Sequence, residues 1–504
     1  MAYKNNDLVQ ILKEVDMGAD VAELDNLLET TKIETSVFSD LLSDRVDLIP
    51  GTKGSGKSAL YRIFVEFLPD ILLAHKKVVI AHGVSHHGDS VFHAFKDQFE
   101  KLSEDDFVDF WCIYFISLAH EQFLKNEAYS EYLKDCKEEM DIFRKNCETA
   151  HIPEITGKKS LKEILGWCLN ALKDVVKPKM TYKPDTNEFQ LSMFNDEIEK
   201  KEDLEEHSNV LPMYVDDIKN SLEKILAKSK LNIWLMIDRL DEIFPRRSDL
   251  EKKALRGLLR TSRFFASSQI RIKLFIRDDM FNNIVKTNEG FTALTHVTSR
   301  KSDTLRWEEK QIRDLILKRL LSCELLKVYL KIDDLKFEAS AVYREEIFYK
   351  IFPDTVFKGE RQSNSLRWIY SHCQDGNGVV TPRDIIYLIT KAKQKQQDMF
   401  MANPEGNSNF IIDSQAILYG HEELSVQKRT TFLEAEFPHL WEYIEKLIGG
   451  KTEYTEVAIK KIFGGNWEKI VNDLLSIGVL SKNKNIYKIP FLYRKSLEAV
   501  QGSA

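Results

Sequence analysis

Cysteine is scarce in this chain. Six occur in 504 residues, at Cys112, Cys136, Cys147, Cys168, Cys323 and Cys373, and no two form a CxxC pair. Such scatter argues against a disulfide framework and fits a reducing cytosol. Long apolar runs are missing as well. The densest, Phe110 to Ala119, is too short to span a bilayer. The opening residues, MAYKNNDLVQ, lack the apolar core of a signal peptide. A cytoplasmic protein with no membrane partner is therefore expected. Excess positive charge is also absent: the net charge is −7, so a globally basic nucleic-acid binder is not indicated, and only a local basic surface could serve that purpose. There is no HExxH, no GxSxG and no internal repeat. What remains is a chain with 43% hydrophobic and 30% charged residues, the balance of an ordinary globular protein, long enough for about three domains.

One complete motif stands out in it. Gly51, Thr52, Lys53, Gly54, Ser55, Gly56, Lys57 and Ser58 spell GxxxxGK[ST], with Ala59 next. A short apolar run, Val46 to Ile49, precedes the motif and a helical pattern from Ala59 to Leu68 follows it, giving the strand–loop–helix context a phosphate-binding loop requires. The glycines let successive N–H groups turn toward phosphate oxygens, and the helix start adds partial positive charge. Lys57 is placed to reach the β- and γ-phosphates and Ser58 to ligate Mg²⁺.

The expected organisation has six parts. Residues 1–45 form an N-terminal helical segment, with Leu8, Ile11, Leu12 and Val15 at helical spacing. Residues 46–126 open a P-loop core, with a second strand over 77–82 and long helices over 93–126. Residues 127–229 read as a Lys- and Glu-rich insertion, with a hairpin over 180–196 and a nearly all-charged run from Glu197 to Glu206. Residues 230–335 return to the core, with strands at Ile233–Ile237, Ile270–Ile276 and Thr295–Thr298, a basic amphipathic helix over 249–267, and a helical pattern over 307–330. A helical lid occupies 336–402. A linker and a winged-helix-like domain occupy 403–504, where two helices precede two short strands around a Lys-Asn-Lys-Asn turn. The fold class predicted is thus an α/β P-loop NTPase core with a parallel sheet, a mainly helical insertion and lid, and a C-terminal winged-helix-like domain.

The run Ile233 to Ile237 ends in Asp238, the pattern of a Walker B strand: continuous apolar residues suit a strand buried on both faces, and a carboxylate at its end would hold Mg²⁺. Hydrolysis also needs a carboxylate to orient and deprotonate water, and Asp241 and Glu242 are both candidates. The two motifs lie about 180 residues apart, far more than a bare core needs, which is why 127–229 reads as inserted. No LSGGQ-like segment, no NKxD segment and no DEAD or DExH box is present, so ATP is the nucleotide left by elimination.

LMIDRLDEIF resembles the hhhhDxLDE Walker B of the STAND/NACHT-like branch of AAA+-related P-loop ATPases. Together with GTKGSGKSAL, KLFIRDDMF, LRWEEKQIRDLILKRL and GVVTPRDIIYLI, it resembles a family of bacterial P-loop ATPases on the edge of that branch, over roughly residues 30–500. The resemblance implies an ASCE-type core, a helical lid, a winged-helix-like domain, and a setting in bacterial antiphage or conflict systems with an effector or operon partner protein. It also implies roles for two arginines. Arg383, in Thr381-Pro-Arg-Asp384, matches a sensor-2-like position, and Arg277 stands where a sensor-1 residue is usually Asn, Thr or Asp, with Asp278 the next candidate. Arg246 and Arg247 follow the Walker B turn, where trans-acting fingers of an oligomer would sit; solvated loop charges are the plainer reading.

Other clusters carry less. His82, His86 and His87 lack a second ligand group at metal-site spacing. Two basic surfaces could follow phosphates: the helix bearing Lys252, Lys253, Arg256, Arg260 and Arg263, and the wing region bearing Lys460, Lys461, Lys482, Lys484, Lys488, Arg494 and Lys495. The reading that joins these features is an ATP-binding and ATP-hydrolysing switch that couples nucleotide state to homo-oligomerisation or partner control. An ATP-dependent scaffold that sequesters an effector, or a DNA-sensing ATPase acting through the winged helix, is the alternative.

Overall fold

The computed structural model describes residues 3–83, 95, 97–125, 127–150, 152, 161–174, 178–183, 188–193, 215–240, 248–267, 269–285, 295, 298–359 and 361–504. The chain forms two compact units, Asp40–Thr52 with Leu60–Thr304, and Met1–Ser39 with Lys53–Ala59 and Leu305–Ala504.

The first unit is built on four parallel strands, β1 (Leu48–Gly51), β2 (Val78–His82), β3 (Asn232–Ile237) and β4 (Ile270–Arg277), in the order β1-β4-β3-β2. The strand that leads into the phosphate loop and the strand that ends at Asp238 are therefore not neighbours. β4 lies between them, with Leu274 beside both Leu48 and Ile237. This is the ASCE, AAA+-like order of a P-loop core. The strands are buried on both faces, as parallel strands under helices must be.

Beyond β1 the sheet gains one further partner. Leu48 bridges Lys301 in parallel, and the Ser302 N–H donates to the Leu48 carbonyl (2.9 Å). This corrects the strand expected at Thr295–Thr298: Thr295 and Thr298 are helical, and His296 and Val297 lie outside the described residues. The β-branched run has the right propensity, but a strand exists only where backbone groups find a partner. Here those groups belong to Arg300 and Ser302.

β1 runs through the phosphate loop into α1 (Lys57–Arg62), which continues as a π-helical turn over Ile63–Phe67. α2 (Glu104–Lys125) contains the densest apolar run of the sequence. Every residue from Phe110 to Ala119 is buried, so this stretch of the helix is apolar all round because it is enclosed on every side. Part of that enclosure is α3 (Asp249–Phe264): the Trp111 indole donates to the Ala254 carbonyl (2.9 Å) and Thr261 Oγ1 to the Val108 carbonyl (3.0 Å). The hairpin expected in the insertion is present as Pro178–Lys183 paired with Glu188–Met193, whereas the charged run Glu197–Glu206 lies outside the described residues.

The second unit is helical with a small sheet. The helical pattern over 307–330 is two helices, α4 (Glu309–Leu320) and Glu324–Leu330, separated where Cys323 turns extended. α5 (Ser365–His372), α6 (Pro382–Ala402) and α7 (Ser414–Lys428) share a hydrophobic core with the N-terminal helix Asn5–Glu14. Two polar ties hold the N-terminal segment there. Arg319 pairs with Asp25, each 3% exposed, and Lys393 Nζ donates to the Val15 carbonyl (2.7 Å). Tyr3–Lys4 pairs antiparallel with Asn407–Ser408, so the expected linker at 403–408 is fixed to the N-terminal segment.

The C-terminal part is winged-helix-like: β5 (Lys451–Thr455), α8 (Glu456–Phe463), α9 (Trp467–Ser476), β6 (Ser481–Asn483), β7 (Ile486–Lys488) and β8 (Val500–Ser503), with sheet order β6-β7-β5-β8. The sequence pattern gave the helix pair and the β6–β7 hairpin but neither β5 nor β8. Among the described residues no helix is long and apolar enough to cross a membrane.

Candidate nucleotide-binding site

In the first unit the four parallel strands end on one edge, at Gly51, His82, Ile237 and Arg277, with Gly51 directly opposite Arg277. The carboxyl edge of an open parallel sheet is where α/β folds place ligands. Asp238 follows β3 there, with its Oδ2 buried, and Arg239 next to it holds a left-handed φ of 59°. That conformation is costly for a residue with a side chain and concentrates at functional turns. Burial, with Tyr114 and Asp238 nearby, pushes the Tyr61 phenol well above its ordinary pKa, and its hydroxyl donates to the Gly83 carbonyl (3.1 Å). Arg277 is buried and makes a two-pronged ion pair with Asp279 (Nε–Oδ1 2.9 Å, Nη2–Oδ2 3.0 Å). Asp278 accepts from the Thr304 hydroxyl (3.2 Å).

In the second unit the loop itself has the backbone its sequence calls for. Gly54 and Gly56 take φ of +79° and +98°, a region L-residues avoid. Ser55 between them is fully buried, and its hydroxyl has no hydrogen-bond partner among the described residues. Lys57 and Ser58 open α1 and are half-buried. Several side chains from far along the chain hold this loop. The Trp307 indole donates to the Ser55 carbonyl (2.8 Å), while the Trp307 carbonyl accepts from the Tyr370 hydroxyl (2.9 Å). Thr381 caps α6 by accepting from the Asp384 N–H (3.2 Å). It also borders the loop: a β-carbon on Gly54 would lie 3.3 Å from Thr381 Oγ1 and 3.5 Å from the Arg383 β-carbon. Lys53 forms an ion pair with Glu436. The Arg383 Nε donates to the Asp20 carbonyl (3.1 Å).

These features suit a bound polyphosphate, and the Ser58 hydroxyl at the helix start is the loop group that would ligate an accompanying Mg²⁺. Two left-handed glycines, a buried hydroxyl without a partner, a half-buried lysine and a serine at the helix start form a donor-rich loop with no carboxylate of its own. Asp241, Glu242, Arg246, Arg247, His86 and His87 lie outside the described residues. His82 is exposed.

The roles of Trp307 and Glu436 were not legible in the sequence. Trp307 stands 252 residues from Ser55 and Glu436 stands 383 from Lys53, so no local pattern announces either. Thr381-Pro382 does carry a local signal, a hydroxyl cap followed by proline at the first helical position.

The basic helix loses much of its free charge. Arg256 pairs with Glu104 (2.8 Å), and Arg260 pairs with Glu104 (3.1 Å) and Asp105 (2.7 Å). On the wing, Lys460 pairs with Glu456 and Lys488 with Glu453, while Lys461, Lys482 and Lys484 remain exposed.

No family model matches the chain, and no curated protein does. Among solved structures it is similar to the Aeropyrum pernix ORC2 protein in ADPNP–ADP complexes, at 12% identity over 91% of this chain and 88% of that one, with a TM-score of 0.41. It is also similar to the Aeropyrum pernix ORC1 protein in complex with DNA, at 9% identity over 95% and 96%, TM-score 0.34. The third is Cdc6p from Pyrobaculum aerophilum, at 9% identity over 94% and 96%, TM-score 0.30. Likeness this distant transfers no ligand, partner or activity.

Proposed function

We propose that this chain binds ATP with Mg²⁺ at the Gly51–Ala59 loop, hydrolyses it, and uses nucleotide state as a switch. Lys57 neutralises the β- and γ-phosphates, and Ser58 and Asp238 hold the metal ion, which when bound offsets charge on the transferring phosphoryl group. Asp241 or Glu242 orients the attacking water. Arg277 and Arg383 respond to the γ-phosphate; each already has a partner, Asp279 and the Asp20 carbonyl, and exchange of that partner for phosphate would be the differential contact a switch requires. The output is a change in homo-oligomeric state or in the hold on a partner protein, in the antiphage setting that the sequence resemblance suggests.

The observation that carries this reading is the loop geometry: left-handed Gly54 and Gly56 around a buried Ser55, following a strand of a parallel sheet whose order separates it from the Asp238 strand. The test is steady-state turnover with light scattering. Wild type should hydrolyse ATP slowly and change mass with nucleotide. Lys57→Ala should do neither, and Glu242→Gln or an Asp241→Asn counterpart should bind without turnover. ATP-dependent mass change with no turnover in any condition would favour the scaffold reading. Exposed Lys461, Lys482 and Lys484 support one further arm: duplex DNA should raise turnover in a salt-sensitive way if the wing reads phosphates.

A further inference from the structure

We propose that Glu436 sets the nucleotide affinity of the phosphate loop by holding Lys53 and keeping a carboxylate within ion-pair reach of the loop. The inference rests on the loop being a nucleotide site and concerns its regulation.

Lys53 is one of the four variable positions of the loop and the only one with a charge. Its ammonium is paired with the Glu436 carboxylate; the Lys53 side chain is 39% exposed and the Glu436 side chain 8%. Its backbone is firmly placed. Leu433, Phe437 and Leu440 on either side are buried, and Phe432 and Phe437 stack edge to face at 5.2 Å. Arg429 ties the same stretch down by pairing with Glu434 (2.9 Å), donating to the Ser496 carbonyl (3.1 Å) and lying over the Trp441 ring (5.1 Å). The carboxylate therefore belongs to a packed segment and is not a mobile surface group.

Two consequences follow for a polyphosphate. A carboxylate within ion-pair reach of the loop repels incoming negative charge, and the paired Lys53 cannot contribute to phosphate binding. Both act in the same direction, against the ligand. Binding that recruits the Lys53 ammonium to phosphate takes it away from Glu436. That residue lies between α7 and the helix Pro438–Ile444, which leads toward β5. Loop occupancy is thereby coupled to the segment that joins the lid helices to the winged helix.

The sign of the effect separates this role from a structural one, because loss of a merely stabilising pair weakens binding whereas loss of a latch strengthens it. Titration calorimetry with ATP and Mg²⁺ on the full chain is the direct measurement. Glu436→Gln should bind ATP about fivefold or more tightly than wild type, and the gain should shrink when Lys53→Gln is also present. Hydrogen exchange supplies a readout that needs no ligand: Lys53→Gln should speed exchange over residues 429–444, and ATP should do the same to wild type. Equal or weaker ATP binding by Glu436→Gln, or exchange over 429–444 unchanged in Lys53→Gln, overturns the latch alone. If neither wild type nor Glu436→Gln binds ATP, the nucleotide-site reading falls and the latch falls with it. Binding by Glu436→Gln but not by wild type would be the latch at its strongest.

Discussion

A fully buried lysine anchors the residues from which the phosphate-loop strand starts. Lys273 on β4 has no exposed surface, yet it contacts Asp47 Oδ1 (2.7 Å), the Val46 carbonyl (2.8 Å), Asp44, and the Trp234 ring at 4.5 Å. Arg300 closes the group by pairing with Asp47 (2.6 Å) and Asp44 (3.0 Å). A buried charge survives only when paired and hydrogen-bonded in this way. Lys273→Ala leaves two acidic groups short of a partner and a cavity beside Trp234, so it should cost roughly 2–4 kcal/mol in urea unfolding. Lys273→Met, which keeps the volume, should cost less; an unchanged midpoint in Lys273→Ala would refute the anchoring role. The strand itself was readable from the alternation of Ile270 to Ile276. Burial of its lysine was not, because Asp44 and Asp47 lie more than 220 residues earlier.

At the scale of elements, α5, α7 and the winged-helix segment meet in an aromatic cluster that titrates. The His372 ring stacks on Trp368 (3.8 Å) and Phe491 (4.2 Å), and His421 packs against both Trp368 and His372. Burial, with His421 beside it, lowers the His372 pKa to about 3, and burial lowers that of His421 to about 4. Nearby Asp375 is raised by burial to about 6. Between pH 5 and 6 the unfolded chain therefore binds up to two extra protons on the histidines, while the folded chain binds up to one on Asp375. The net is about one proton toward the unfolded state, so stability rises with pH by about 1.4 kcal/mol per unit at most and levels off above the ordinary histidine pKa. Denaturant midpoints at pH 5 and 6 check this. His372→Phe keeps the stack, leaves His421 and Asp375 to offset one another, and should flatten the slope; an unaltered slope would remove the cluster as its source.

Element recognition from sequence was uneven for physical reasons. Long periodic helices such as α3 and α6 announced themselves. β5 did not, because Lys451–Thr455 is short and runs directly into α8, whose cap is its own last residue, Thr455. The Trp307 clamp belongs to this scale too, since it joins the approach to α4 to the phosphate loop. Trp307→Phe keeps an aromatic ring, smaller than the indole, and loses the bond to the Ser55 carbonyl, and should weaken ATP binding severalfold, by about 1 kcal/mol. Unchanged affinity would show that the clamp does not position the loop.

Over the whole molecule, the two motifs read from the sequence stand out because their chemistry is local. Glycine spacing defines the loop, and an apolar run ending in a carboxylate defines the Asp238 strand. The order β1-β4-β3-β2 was expected only through the resemblance to an ASCE-type core, since strand neighbours are chosen by long-range pairing that no single segment encodes. The division of the chain into units, which falls inside the loop between Thr52 and Lys53, was not legible. The central claim is that this loop is a nucleotide site. Calorimetric titration of the purified full chain with ATP and Mg²⁺, beside Lys57→Ala, tests it most directly. One ATP should bind per wild-type chain, and Lys57→Ala should bind about 100-fold more weakly while unfolding at the same denaturant midpoint. Equal binding by the two proteins, or none by wild type and by Glu436→Gln alike, would contradict it.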